Sequence, residues 1–401
     1  MDSLTHRLGP FGRQRSVRQM AVTVVVMAVL LGAVASGCKV RPVRMVGPGH
    51  AYATPCEAIA AAQPGDAVKI DATGNGTYDG DVCTWTTDDL VIVGVNGRAR
   101  IDAAGQHSGG KGIWVIGGDD TVIRNVELSG AAVPDRNGAG IRHEGRGLTI
   151  VGSYFHDNEN GILSGADPEN DIVVDSSEFA RNGAGDGYSH NIYIGRIRSF
   201  TLRSSYSHDA VAGHLVKSRA ATNQLLFNRL TGEGGSSSYE LDLPNGGVAY
   251  VIGNTMQQGP TTQNSALMAF GEEGATHPVS QLFAVNNTFV NDRGSGTAVV
   301  VGPQVTLPVL AQNNVSTGSS TFVTQATASL VTNCLVADPV FVDRVGLDHR
   351  LAAGSPCLDV GTPPGFGLGI DLTPTQQHVV GTGPEPRVVV GPAIDAGAFE
   401  H

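Results

Sequence analysis

The chain has 401 residues, with 54 glycines, 5% aromatic and 16% charged residues, and a formal net charge of −11. So little charge argues against a disordered chain, so few aromatics against several ordinary cores, and glycines without a three-residue period against collagen. An acidic chain also lacks the cations that neutralise phosphates, so no nucleic-acid partner is expected.

Arg7, Arg13, Arg15 and Arg18 precede an apolar run from Ala21 to Val34, followed by Ala35-Ser36-Gly37-Cys38. The run is short for a membrane span and predicts a signal peptide over residues 1–37. Its end resembles a bacterial lipobox, which implies lipidation of Cys38. The expected product is exported: a cell-surface or outer-membrane-associated lipoprotein touching the membrane only through its anchor, or a secreted protein. Residues 38–51 read as a linker. Cys56, Cys83, Cys334 and Cys357 fall into one pair near each end of the body. In an oxidising compartment the economical reading is two disulfides, Cys56–Cys83 and Cys334–Cys357.

A repeat runs through the middle of the chain. Segments 148–158, 172–182, 200–210, 224–234, 250–260 and 283–293 each alternate apolar and polar residues and then turn. Aligning Phe155, Phe179, Tyr206, Leu230, Met256 and Phe289 gives steps of 24, 27, 24, 26 and 33 residues. Alternation marks strands, and a repeat near 25 residues winds one coil of three short strands. Asn228, Asn254 and Asn287 share a turn position where amides can stack along the axis. The expected fold is all-β: a right-handed parallel β-helix of about ten coils, 24–27 residues each, over residues 52–350. A closing coil and loop-rich cap over 351–401 is expected to cover its open end, and the chain is expected to be a monomer.

The opening IAAAQPGDAVKIDATGNGTYDG (59–80) and the endings VADPVFVD (336–343), DHRLAAGSPCLDVG (348–361) and AIDAGAFE (393–400) resemble secreted bacterial β-helix proteins of the pectate-lyase-like superfamily. That group contains lyases, epimerases, hydrolases and non-catalytic members, so the resemblance implies a fold and not one reaction. The stretch GHLVKSRAATNQLLFNRL (213–230) is similar to β-helical alginate lyases, in which the equivalent lysine acts as base. Where those lyases carry an arginine one coil later, this chain has Asp242. The same stretch resembles mannuronan epimerases in placing His214 at the start of the strand, but it lacks their Asp-Pro-His-Asp signature.

The densest polar region is 186–254. If Ile192 and Ile194 point inward, Asn191 and Tyr193 point out. The same alternation turns Lys217 and Arg219 outward one coil on, and Glu240 and Asp242 in the next. The expected outward column is Tyr193, Lys217 and Asp242, with His190 and His214 stacked at its entrance and Arg142 one coil earlier. Removing the proton α to a uronic carboxylate needs a base, a cation for the carboxylate and an acid. The candidates are Lys217 or His214 as base, Tyr193 as acid and Arg219 as cation, with His190 assisting; Asn191, Arg142 and Arg196 are expected to bind substrate. Glu240 and Asp242 read as a solvated edge, partners of Lys217 or Arg219, or ligands of a possible calcium ion; as a pair they also admit a glycoside hydrolase. The expected function is a lyase or epimerase acting on an acidic polysaccharide. The alternative is a non-catalytic glycan- or envelope-binding lipoprotein.

Overall fold

Each repeat folds as its alternation requires. In one coil, Leu148–Val151, Tyr154–His156 and Asn160–Ser164 form three short strands, and Asp171–Asp175 begins the next coil. Corresponding strands pair in parallel, giving three sheets of twelve, eleven and ten strands. The first sheet runs from Val43–Val46 to Ser329–Val331, the second from Thr77–Asp79 to Cys334–Leu335, and the third from Cys83–Trp85 to Thr321–Val323. Over the described residues the chain is a right-handed parallel β-helix of about ten turns with almost no helix. The structure, a computed structural model, describes residues 41–381 and 383–401. The expected signal peptide and Cys38 lie outside them.

Inward positions hold Ile, Val, Leu and Phe with essentially no exposure, including Phe155 and Phe179 stacked at 5.0 Å. Between the first and second sheets the chain turns in two residues. The first takes positive φ, as at Ser204, Phe227, Asn286 and Asn313. The second supplies a buried side chain that caps the turn below. Asn228 Nδ2 donates to Asn254 Oδ1 at 2.9 Å, Asn254 Nδ2 to Asn287 at 3.0 Å, and the ladder continues through Asn314 to Asn333. Each amide also bonds backbone of the neighbouring coil, so the turn is satisfied without water.

Four expectations change. The solenoid begins inside the expected linker, because Val43–Val46 already pairs with Ala67–Asp71. Its last strand in the second sheet ends at Leu335, and antiparallel hairpins follow, the first pairing Phe341–Asp343 with Asp348–Leu351. The cap does not cover the open end. It runs back along the flank, where Ser204 meets Gln376, Tyr250 meets Gly367 and Asn286 meets Asp395, while Leu330 and Leu335 of the last coil stay exposed. Tyr206 is not the counterpart of Phe179. Ser207 is, and its buried hydroxyl donates to Leu215 O while Tyr206 faces outward. A small hydrogen-bonded residue fills the inward position there, so side-chain size misled the alignment by one.

Cys56–Cys83 and Cys334–Cys357 are bonded, with Cα separations of 5.8 and 5.6 Å. Both disulfides fit an extracellular location.

Candidate active site

Parallel register builds the site on the outer face of the third sheet. Ile192 and Ile194 are buried in the core, which turns Tyr193 outward; Val216 and Ser218 do the same for Lys217, and Leu241 and Leu243 for Asp242. Register then aligns Tyr193 with Lys217 and Lys217 with Asp242, so the three share one column as expected. Arg142 belongs to that column but lies two coils before Tyr193, with Leu163 between them. It pairs instead with Glu144 at 3.5 Å.

Lys217 Nζ lies 3.0 Å from Asp242 Oδ2 and 3.0 Å from Glu273 Oε1. Burial opposes its charge, yet the two carboxylates more than offset this and hold the ammonium above its ordinary range. Lys217 is therefore a proton holder, contrary to the role of free base. Burial pushes the Asp242 carboxyl up despite Lys217. Arg219 makes three contacts. Its Nε donates to Tyr193 Oη at 3.0 Å, its Nη1 to Asn245 Oδ1 at 2.6 Å, and its Nη2 lies 2.7 Å from Glu273.

His190 and His214 stack at 4.6 Å with an 8° interplanar angle, and His190 also stacks on Tyr193. His190 Nδ1 accepts the His214 backbone N–H at 3.0 Å, and His214 Nδ1 accepts that of Tyr239 at 3.2 Å. In the neutral ring the proton then sits on Nε2, so both imidazoles present a donor to the groove. Burial keeps them neutral, lowering His190 to about 3 and His214 well below its ordinary value. His214 Nε2 points to Asp242 Oδ2, 3.5 Å away. With its lone pair engaged by backbone, His214 is not positioned as a base.

Three further expectations are corrected. Asn191 does not face outward. It is enclosed at the corner between the second and third sheets, accepting from Asn182 and donating to Phe179 O, Ser207 Oγ and His208 O. Glu240 is also fully enclosed, and burial raises its carboxyl well above the usual range. The chain bends just before Leu241, so alternation fails at that residue. With Glu240 enclosed and Asp242 held by Lys217, this pair does not fit calcium, nor does it form a hydrolase pair. Arg196 does not line open groove; it binds Thr276 O at 3.1 Å.

Several groove residues carry no signal in the repeat. Glu273, Thr276 and His277 arrive on a segment between the strands Ala266–Phe270 and Gln281–Val285. Upstream, Asp135, Arg136, Asn137, Asp186 and Tyr188 surround a depression of 380 Å³ over Leu163 and Tyr193. Tyr188 is 87% exposed there, an aromatic face of the kind on which sugar rings stack. Elsewhere, on the second sheet, ligand atoms of His208, Asp209 and Glu233 lie within 4.8 Å of one another.

Residues 91–256 match the family described as right-handed β-helix region, a span that contains the column. Among solved structures, the chain is similar to the crystal structure of pectate lyase Pel9A. The TM-score is 0.61 at 16% identity, covering 86% of this chain and 90% of that one. The chain has the pectate-lyase-like β-helix fold. No curated protein matches the sequence significantly. Identity this low carries the fold alone, so the chemistry rests on the groove itself.

Proposed function

We propose that the groove of the third sheet binds an acidic, uronic-acid polysaccharide and acts on it by lyase or epimerase chemistry. One observation carries this reading: a single guanidinium, that of Arg219, touches both a carboxylate and the Tyr193 hydroxyl. Abstraction of a proton α to a carboxylate needs that arrangement, with a cation to neutralise the carboxylate and a proton acceptor beside it. The fold supports a polysaccharide substrate, since a row of outward side chains along stacked strands runs parallel to an extended glycan.

The proton states favour the reverse of the roles expected from sequence. Lys217 carries its proton and serves as the acid. Tyr193 serves as the base, its hydroxyl oxygen held by Arg219 Nε. The Nε2–H groups of His190 and His214 orient the sugar. In elimination, Tyr193 takes the C5 proton, the C4–C5 double bond forms, the C4–O bond breaks, and Lys217 protonates the departing oxygen. In epimerisation, a proton returns to the opposite face instead.

Alginate, pectate and glucuronan form the test panel. Unsaturated uronate is followed by ultraviolet absorbance, and epimer ratio by proton NMR. Tyr193→Phe is expected to remove turnover with the fold intact; full activity in that variant would end the assignment of the base. Binding of a polyuronide without turnover would assign the groove to a non-catalytic glycan-binding role. We also propose that the mature chain is exported, monomeric and lipid-anchored at Cys38, which mass spectrometry of its N-terminus tests.

A further inference from the structure

The segment from Gly271 to His277 crosses the groove as a strap. Glu273 N donates to Pro244 O at 2.9 Å, which seats the strap on the turn one coil earlier. Arg196 donates to Thr276 O, Asn245 Nδ2 to Thr276 Oγ1 at 3.1 Å, and His277 Nε2 to Arg219 O at 3.0 Å. These contacts reach back across three coils. At the centre of the strap, Glu273 places one carboxylate oxygen on Lys217 and the other on Arg219, at 3.0 and 2.7 Å.

Glu273 differs from the other groups of the cluster in origin and exposure. Asp242 stands in the strand column and is nearly enclosed, whereas the Glu273 side chain is 49% exposed and comes from a loop. With Glu273 present, two cations face two carboxylates and the cluster is neutral. Without it the cluster carries one net positive charge, which an external carboxylate can satisfy. The Glu273 side chain is half in solvent, so releasing it costs less than releasing the enclosed Asp242. Glu272, Glu273 and Thr276 of the strap are exposed, the latter two held by polar contacts, while Gly271, Ala275 and His277 anchor it to the coil.

We propose that Glu273 is a built-in occupant of the substrate-carboxylate position, and that a uronate carboxylate replaces it between Lys217 and Arg219 as the strap 271–277 lifts. This inference rests on the polyuronide reading and adds the position of the bound carboxylate and the segment that must move to admit it. Tyr193 then accepts from Nε, and that carboxylate from Nη2, of the same guanidinium.

The test compares wild type, Glu273→Gln and Glu273→Ala by titration calorimetry with uronate tetramers and, separately, with inorganic sulfate, which needs only the two cations. Hydrogen exchange of amides 272–277 is followed with and without ligand. Both variants are expected to bind uronate about tenfold more tightly than wild type, and uronate is expected to speed exchange of the strap in wild type. Equal affinities with unchanged exchange would overturn the occupant role while leaving polyuronide binding standing. If no protein binds a uronate but the variants alone bind sulfate, the occupant role holds and the polyuronide reading falls. If neither ligand distinguishes the variants from wild type, the occupant role is wrong. Glu273 makes no core contact, so loss of fold is not expected to confuse the result, and unfolding midpoints check this directly.

Discussion

Replacing Lys217 by methionine tests whether that residue is a paired ammonium or a free amine. Lys217 is 9% exposed and Asp242 3%, and 3.0 Å separates their charged atoms. Methionine fills most of the volume but leaves Asp242 with only the distant Nε2 of His214, so an unpaired buried charge remains. Breaking a buried pair in this way costs roughly 3–5 kcal/mol. The cost has a definite pH dependence. In the variant the Asp242 carboxyl rises further above its unfolded value, so the folded protein binds the proton more tightly than the unfolded chain. The penalty is therefore absent below the unfolded carboxylate range and grows as pH rises, until the folded carboxyl itself ionises. Adding Asp242→Asn to the variant removes the charge and should recover most of the loss. Urea unfolding of the four proteins of this cycle, at pH 4 to 8, measures it. A Lys217→Met protein within about 0.5 kcal/mol of wild type at every pH would refute the pairing and restore Lys217 as a candidate base.

Three other outcomes are expected. Asn254→Ala removes bonds to Asn228, Asn287 and Leu225 at once and leaves enclosed partners bare, costing about 3 kcal/mol in urea unfolding. His208 is raised to about 9; burial opposes its charge, but hydrogen bonds to Asp209 and Glu178 outweigh it. Its contribution is complete below the unfolded value near 6.5 and lost as pH rises through about 9, by up to about 3 kcal/mol, so His208→Gln should flatten the alkaline limb of a stability–pH curve. Reducing the disulfides, which span 27 and 23 residues, should lower stability by about 3 kcal/mol each, read as separate losses in Cys56→Ala/Cys83→Ala and Cys334→Ala/Cys357→Ala proteins.

The strand column was legible because one rule governs it. Side chains alternate along each strand, and parallel pairing stacks every coil on the last, so the inward Ile192, Val216 and Leu241 suffice to align Tyr193, Lys217 and Asp242. The rule stops where strands stop. Asn191 and Glu240 each stand one residue before a strand, where the backbone bends and alternation no longer sets direction; both turned inward. Arg142 was displaced by a coil because Asn160–Ser164 intervenes, a strand whose outward residue is the unremarkable Leu163. Glu273 was out of reach altogether. It meets Lys217 across 56 residues through a loop with no place in the repeat.

The same division explains why residue types were read more reliably than proton states. A strand fixes where Lys217 and His214 stand, but their protonation depends on groups brought from elsewhere. Lys217 holds its proton because a strand carboxylate and a loop carboxylate share it. His214 holds its proton on Nε2 because the backbone N–H of Tyr239, one coil later, occupies Nδ1. Neither neighbour can be inferred from the strand that carries the residue. The solenoid thus supplies a fixed row of side chains about 4.8 Å apart, and the loops above it decide which member of the row gives a proton and which accepts one. On that basis the strap 271–277, and not the strand sequence, is where substitutions should change what the groove does while leaving the coil beneath it unaltered.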